Sequence, residues 1–257
     1  MSLCREEEKA MDMLTRDSLD LAGRVAVVTG GGTGIGRGIA LALAAAGARV
    51  VINGRRKEPL QTVVTEIRTA DGEALAVTGD VSQEADVQSV LGATEDAYGP
   101  PTILINNAGI GGGGPIHNHD VAEWDKVMAV NLRGPFLMAR AVLPHMRRLQ
   151  QGHIVNISSE SAMEYYPGNG AYGVAKHALN ALGEYIQREN QELGIRVDTI
   201  CPGMVVTEMT ENNRALNHDK CLYPEDVADL VMWLLTRRPN LKIGRPILIQ
   251  TMLNPWQ

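Results

Sequence analysis

The sequence predicts an α/β protein built on a doubly wound parallel sheet of about seven strands in a single domain. Three observations support this prediction. From residue 24 onward, short apolar segments alternate with longer segments of helical periodicity. Most of the short segments are nearly continuous in Val, Ile, Leu and Ala, which is typical of strands buried on both faces. No linker-like tract of Pro, Gly and Ser divides the chain, and the alternation indicates parallel strands joined by right-handed crossovers.

The strand candidates each hold three to five apolar or β-branched residues, which is the length range of a buried strand. In chain order they are Val25–Val28, Val50–Ile52, Ala74–Val77, Ile103–Ile105, His153–Ile157, Arg196–Ile200 and Pro246–Ile249.

Segments of helical period separate these strands, at 34–46, 57–70, 83–97, 121–149, 171–193 and 225–236. Residues 1–20 are charged and precede the first strand, so we expect a flexible N-terminal extension there. The remaining residues, 21–257, are then expected to form one domain.

Composition excludes several classes of partner. The 257 residues carry a net charge of −6, which argues against a nucleic-acid or anionic-membrane surface. No apolar run reaches the ~18 residues of a membrane span. The three cysteines are an odd count without metal-ligand spacing, so a reducing cytoplasm is expected. His117 and His119 lie beside a glycine-rich stretch without a third ligand, and we expect no metal there.

A glycine-rich turn, Thr29-Gly-Gly-Gly-Thr-Gly-Ile-Gly36, follows the first strand and opens the first helix. Gly30 would permit a tight turn, Gly34 would let the backbone approach a pyrophosphate, and Gly36 would allow close packing of helix on strand. The phosphates would then meet the free N–H groups and the positive dipole end of the helix. The alternative is a loop whose glycines serve packing alone.

The T-G-x-x-x-G-x-G spacing resembles that of the short-chain dehydrogenase/reductase family, in its single-domain branch. Further motifs stand in the family's order: Asp80-Val81 at the end of the third strand, Asn106-Asn-Ala-Gly109 at the end of the fourth, and Pro202-Gly203 after the sixth. The resemblance implies that residues 21–257 form a Rossmann-type NAD(P)-binding catalytic domain. The cofactor-binding residues it implies are Gly30, Thr33, Gly34, Ile35, Gly36, Arg55, Asp80, Val81, Asn107, Ala108, Gly109, Tyr172, Lys176, Pro202, Gly203, Val205 and Thr207.

Tyr172 and Lys176 place a phenol and an ammonium four residues apart, on one face of a predicted helix. A free tyrosine has a pKa near 10, and a cation held nearby would lower that pKa and suit the phenol to general acid–base catalysis. The alternative for the isolated pair is an ordinary contact on a helix surface.

Ser158 and Ser159 end the fifth strand, at the edge where doubly wound sheets bind ligands. Ser159 precedes Tyr172 by 172 − 159 = 13 residues, which is the family's offset for its catalytic serine. Its hydroxyl could donate to a substrate carbonyl oxygen. Ser158 is the competing candidate, and the absence of a G-x-S-x-G elbow argues against a nucleophilic serine.

The resemblance implies hydride transfer between nicotinamide and a carbonyl or alcohol carbon of a small molecule. Tyr172 would move the proton, Ser159 would polarise the oxygen, and Lys176 would hold the nicotinamide ribose. Asn131 matches a helix asparagine that holds a water in a proton relay. The substrate stays open, and a cofactor-binding scaffold without turnover is the alternative function. The family also implies a homo-oligomer, a dimer or a tetramer, built on the helices near 121–149 and 171–193.

The second strand ends in Asn53-Gly-Arg-Arg56, where an NAD-preferring member usually has Asp. The register places Gly54 at the acidic position and Arg55 one residue later. Glycine leaves room for a 2′-phosphate, and a guanidinium can form bidentate hydrogen bonds with it. NADP(H) is therefore the expected cofactor, with NAD(H) possible. Asn53 is expected to add a hydrogen bond, and Arg56 is the second candidate ligand. The alternative is a polar turn with surface arginines.

Overall fold

Seven parallel strands form one sheet in the computed structural model, which describes residues 20–211, 213–238 and 240–257. All seven predicted strands are confirmed, with ends that differ by one or two residues. In chain order they are Val25–Thr29 (β1), Arg49–Gly54 (β2), Ala74–Thr78 (β3), Ile103–Asn106 (β4), Gly152–Ile157 (β5), Ile195–Pro202 (β6) and Ile247–Ile249 (β7).

The strands lie in the order β3-β2-β1-β4-β5-β6-β7, and every neighbouring pair is parallel. The chain therefore winds in one direction from β1 to β3 and in the other from β4 to β7. The reversal falls between β1 and β4, where the two halves diverge and leave a crevice at the carboxyl ends of the strands.

Seven α-helices cover the sheet over the described residues, with short 3₁₀ turns between some of them. The helices are Gly34–Ala45 (α1), Lys57–Thr69 (α2), Glu84–Tyr98 (α3), Val121–Met128 (α4), Gly134–Leu149 (α5), Gly170–Asn190 (α6) and Pro224–Thr236 (α7).

Each face of the sheet has its own apolar core. Helices α1, α2 and α7 pack on one face, and Ile39 and Leu43 of α1 are fully buried there. Helices α3, α5 and α6 pack on the other face, where Met138 and Met146 of α5 are buried. Both strand faces are thus covered, which explains the nearly continuous apolar runs in the sequence.

The prediction of one helix over 121–149 is wrong in detail. A π-helical turn, Ala129–Arg133, separates α4 from α5. The wider turn places Asn131 in the interior, with none of its surface exposed, and its amide hydrogen-bonds to the backbone of Ile110. Single π-turns inside helices often occur at functional sites.

Most of the predicted N-terminal extension, residues 1–19, lies outside the described residues. The division into an extension and one catalytic domain therefore stays a prediction. Within the described ranges, no helix has the length and apolar character that crossing a bilayer requires.

Helix α1 approaches the end of β1 so closely that residue 36 must be glycine. A Cβ at Gly36 would lie 2.2 Å from the carbonyl oxygen of Gly30 and 2.4 Å from Nδ2 of Asn107. Both distances are far shorter than a van der Waals contact. Because a backbone atom is one of the partners, a side chain at this position would push the helix away from the strand.

The substitution Gly36→Ala should therefore lower the free energy of unfolding by about 1–3 kcal/mol, the usual cost of overpacking. Gly92 in α3 is the matched control, because a Cβ there would meet no atom within 4 Å. Gly92→Ala should raise stability by up to about 1 kcal/mol through helix propensity. Urea titrations would measure both, and equal changes in the two variants would contradict the packing argument.

Candidate active site

A cavity of about 570 Å³ opens at the carboxyl ends of the strands, on the crevice between β1 and β4. Of the residues predicted from the sequence, only Gly36 and Asn131 do not line it. The predicted residues that line it are Gly30, Thr33, Gly34, Ile35, Arg55, Asp80, Val81, Asn107, Ala108, Gly109, Ser159, Tyr172, Lys176, Pro202, Gly203, Val205 and Thr207.

The glycine turn is fixed to the end of β4 by a buried hydrogen-bond network. The Thr29 hydroxyl donates to the carbonyl of Ile105 and accepts from the backbone N–H groups of Asn107 and Ala108. The Asn107 side chain donates to the carbonyls of Thr29 and Gly30, at 2.9 and 3.2 Å. Thr29 and Asn107 therefore set the shape of the turn, and a φ of +64° at Gly30 completes it.

At the adenosine end, the side chain of Asn53 has a structural contact. Its amide nitrogen donates to the carbonyls of Val77 and Gly79, both at 3.1 Å, and so ties β2 to the chain that leaves β3. Asn53 also lines the cavity, and its Oδ1 has no hydrogen-bond partner among the described residues. The hydrogen bond from Asn53 to a cofactor therefore stays a prediction.

The two arginines after β2 differ in their contacts. Arg55 is exposed, lines the cavity and makes no ion pair with any residue in the described ranges. Arg56 also lines the cavity, but its guanidinium lies 2.5 Å from Oε2 of Glu208. One cation at this end is thus available to an anion, and the other already has a carboxylate partner.

At the opposite end of the cavity, Tyr172 and Ser159 lie together. Burial raises the pKa of the Tyr172 phenol above its usual value, while a hydrogen bond with the Ser159 hydroxyl acts in the opposite direction. The net pKa shift is opposite to the expected lowering, because the Lys176 ammonium, 5.6 Å from the ring centroid and donating to the carbonyl of Ile157, does not offset the effect of burial. The phenol is accordingly protonated at neutral pH.

Lys176 is almost fully buried, at 3% exposure, and its ammonium donates to the carbonyl of Ile157 at 2.9 Å. Desolvation lowers the pKa of this lysine to about 8. A buried ammonium with a lowered pKa beside a phenol is a perturbed pair of the kind found at functional sites.

Ser158 and Ser159, the two serine candidates, have different environments. Ser158 is buried, and its hydroxyl donates to the carbonyl of Lys176 at 3.2 Å. Ser159 is only half-buried beside Tyr172, and its hydroxyl also accepts from the backbone N–H of Ser161 at 3.1 Å. The geometry therefore favours Ser159 for contact with a ligand and gives Ser158 a role in holding α6 to β5.

Asn131 positions the chain that passes in front of the lysine. Its Oδ1 accepts from the N–H of Ile110 at 2.9 Å, and its Nδ2 donates to the carbonyl of the same residue at 2.8 Å. A Cβ at Gly109 would lie 2.9 Å from Asn131 Oδ1 and 3.6 Å from Lys176 Nζ. Glycine at 109 thus lets the asparagine and the lysine approach the same backbone.

The cavity has the features that a bound dinucleotide requires. Its floor is glycine backbone at a helix N-terminus, where a Cβ at Gly34 would already lie 3.0 Å from Thr207 Cγ2. Arg55, which has no ion-pair partner among the described residues, supplies a cation at one end. The buried phenol and ammonium lie at the other end. Fold and cavity together define a dinucleotide-binding oxidoreductase.

The comparison with known families agrees. The model of the short chain dehydrogenase family matches residues 24–217. The chain belongs to this family and is an NAD(P)-dependent dehydrogenase/reductase.

Individual relatives are similar over most of the chain. The 2-(R)-hydroxypropyl-CoM dehydrogenase of Xanthobacter autotrophicus is 41% identical, over 86% of each chain. A metagenomic short-chain oxidoreductase in complex with NADP is 36% identical, with a TM-score of 0.79, over 91% of this chain and 99% of its own. A variant of the actinorhodin polyketide ketoreductase with NADPH is 28% identical, with a TM-score of 0.82, over 89% and 96%.

Sequence reasoning missed two features of the site. Thr29 was assigned only to the glycine turn, although its hydroxyl joins β1 to the end of β4. The ion pair between Arg56 and Glu208 was missed because its partners are 152 residues apart in sequence. The first had a signal in the polar residue that ends an otherwise apolar strand, whereas the second had none.

The buried lysine should destabilise the folded protein at neutral pH. The pKa of Lys176 falls from 10.5 to about 8 on folding. The free-energy cost of burying the charged lysine is therefore complete below about pH 8 and disappears as the pH rises toward 10.5. Lys176→Met should therefore be more stable than the wild type at pH 7, by about 1–3 kcal/mol. The difference should shrink across that pH window.

Chemical unfolding of both proteins between pH 7 and 10.5 would measure this difference. Lys126→Met is the control, because Lys126 is exposed on α4 and its removal should leave the pH profile unchanged. A Lys176→Met variant that is less stable than the wild type throughout would contradict the argument.

Proposed function

We propose that the protein is an NADP(H)-dependent oxidoreductase that interconverts a ketone or aldehyde and the corresponding alcohol. One observation carries the proposal: Ser159, Tyr172 and Lys176 meet at one end of a dinucleotide-sized cavity, whose other end holds Arg55. Family membership and relatives crystallised with NADP or NADPH support the reaction class.

The bound cofactor supplies the hydride, and the chain's own residues handle the oxygen and the proton. In the reductive direction the Ser159 hydroxyl donates a hydrogen bond to the carbonyl oxygen, where negative charge develops. Tyr172 gives its proton to that oxygen, and its raised pKa keeps the phenol protonated and ready as the acid. Lys176 stabilises the phenolate that remains and holds the nicotinamide ribose.

Asn131 has a positioning role in this proposal. Both groups of its side-chain amide bind the backbone of Ile110, so they fix the segment that lies in front of Lys176. The proton relay through a water stays a prediction from family resemblance.

The substrate proposed for this site is an uncharged carbonyl compound. Among the described residues, the cations that line the cavity are Lys176 and, at the adenosine end, Arg55 and Arg56, so no further cation near Tyr172 could hold a carboxylate or a phosphate. The other lining side chains offer apolar contacts, a hydroxyl and amides, and two of them are adaptable thioethers. They include Ile110, Ser161, Asn169, Met204, Met209, Asn213 and Leu216.

A scaffold that binds cofactor without turnover is the alternative function. Such a protein would need neither a buried ammonium, which lowers the stability of the fold, nor a phenol beside a serine. The presence of all three groups at one end of the cavity therefore favours the enzyme.

Tyr172→Phe tests the proposed chemistry. The variant should lose about 10²- to 10⁴-fold in kcat/KM, because the proton donor is gone. NADPH binding, followed by fluorescence titration, should survive. The substrate is first found by following NADPH oxidation over a panel of neutral ketones, each paired with an anionic analogue. Near-normal turnover by the variant would contradict the proposal. Tight NADPH binding by the wild type with no turnover across the panel would also contradict it.

Cofactor preference has its own test. Gly54→Asp combined with Arg55→Leu should shift the ratio of kcat/KM for NADPH and NADH toward NADH by about 10- to 100-fold, since a charged hydrogen bond is removed and an acid is introduced. Arg245→Leu, which removes an exposed arginine outside the cavity, should leave the ratio unchanged. A wild type that already favours NADH would refute the NADP assignment.

A homo-oligomer is also part of the proposal. Helices α4, α5 and α6 present a shallow apolar depression that includes Met128, Leu132, Phe136 and Leu182, and Phe136 is 47% exposed. A second copy would cover such a patch, and sizing chromatography would detect it. The cytoplasmic location stays a prediction from cysteine usage.

A further inference from the structure

Two segments that are distant in sequence meet above the cofactor cavity. The turn after β2 carries Arg56, and the loop after β6 carries Glu208, and both side chains line the cavity. Arg56 Nη2 lies 2.5 Å from Glu208 Oε2. Thr207, the neighbour of Glu208, contacts the glycine turn, since a Cβ at Gly34 would lie 3.0 Å from its Cγ2. The loop therefore crosses the groove between its catalytic and adenosine ends.

We propose that Glu208 competes with the cofactor's 2′-phosphate for Arg56 and thereby limits the preference for NADP(H) over NAD(H). The inference rests on the proposed function, because it requires a 2′-phosphate at this end of the cavity. It assigns a specificity-determining role to an acid on the opposite side of the groove from strand β2.

The charges at this end support the competition. Arg55 has no carboxylate partner among the described residues, whereas Arg56 is paired with Glu208. A 2′-phosphate brings up to two negative charges and three acceptor oxygens, so it can engage both guanidiniums. While Glu208 holds Arg56, only one of the two cations is available without breaking an existing contact.

The exposure of the pair makes the competition reversible. The side chains of Arg56 and Glu208 are 60% and 49% exposed. Ion pairs in such positions are weak and screened by salt. A phosphate can therefore displace the carboxylate. The free energy needed to break the ion pair between Arg56 and Glu208 weakens the binding of NADP(H) but does not prevent it. NAD(H) lacks this phosphate, so its binding does not depend on freeing Arg56.

The test is Glu208→Gln, which keeps the shape of the side chain and removes its charge. The dissociation constant for NADPH, measured by fluorescence titration, should fall by about two- to fivefold, as expected for an exposed ion pair. The constant for NADH should change by less than about twofold. The gain for NADPH should decrease as the salt concentration rises from about 0.05 to 0.5 M.

Two further variants separate the mechanism from simple charge removal. Glu211→Gln neutralises an exposed acid of the same loop that has no ion-pair partner in the described residues, and it should leave both constants unchanged. In an Arg56→Gln background, Glu208→Gln should have little effect, because the contested cation is absent.

Several results would overturn the inference. Glu208→Gln could leave NADPH binding unchanged, it could weaken NADH binding specifically, or its gain could persist in the Arg56→Gln background. If any of these occurs while the Gly54 and Arg55 substitutions still shift the preference, only the role of Glu208 fails. If those substitutions have no effect and NADH is preferred, the proposed NADP(H) site itself fails.

Discussion

The site depends on one close contact, the approach of helix α1 to the end of strand β1. Gly36 lies so near the carbonyl of Gly30 that no side chain fits between helix and turn. Thr29 and Asn107 then bind the same turn to the end of β4 with buried hydrogen bonds. The glycine floor of the cavity and the crevice between the two halves of the sheet are therefore parts of one rigid unit. Any element that reaches the cavity is positioned relative to this unit.

The catalytic end lowers the stability of the fold that supports it. Lys176 is a buried cation whose hydrogen bond in the described structure is to a backbone carbonyl, and no carboxylate lies near enough to pair with it. Burial disfavours the charged form, lowers the pKa of this ammonium and raises the pKa of the Tyr172 phenol. Both shifts arise from the same desolvation. A protonated phenol can give its proton to a substrate oxygen. The ammonium beside it, whose pKa is lowered by burial, can then stabilise the phenolate that is left.

The sequence predicted most of the fold because its signals are local. Apolar runs of strand length and helical periods alternate along the chain, and each is read within a few residues. The pairing of Tyr172 with Lys176 is also local, since both lie on one helix. The π-turn around Asn131 could not be predicted, because the backbone that its side chain binds belongs to Ile110, 21 residues away in sequence. The pKa of Tyr172 was predicted in the wrong direction for a similar reason: burial is a property of the assembled cavity.

The loop after β6 crosses the groove above the glycine turn. Thr207 contacts that turn, Glu208 contacts Arg56, and Met209 lines the same cavity. Three consecutive residues therefore face the groove in which we propose that the dinucleotide binds. If Glu208 responds to a 2′-phosphate as proposed, the backbone of Thr207 and Met209 is expected to move with it, because the three residues are adjacent in the chain. Under the proposed function, the choice of cofactor and the shape of the substrate pocket are therefore expected to be coupled through this loop.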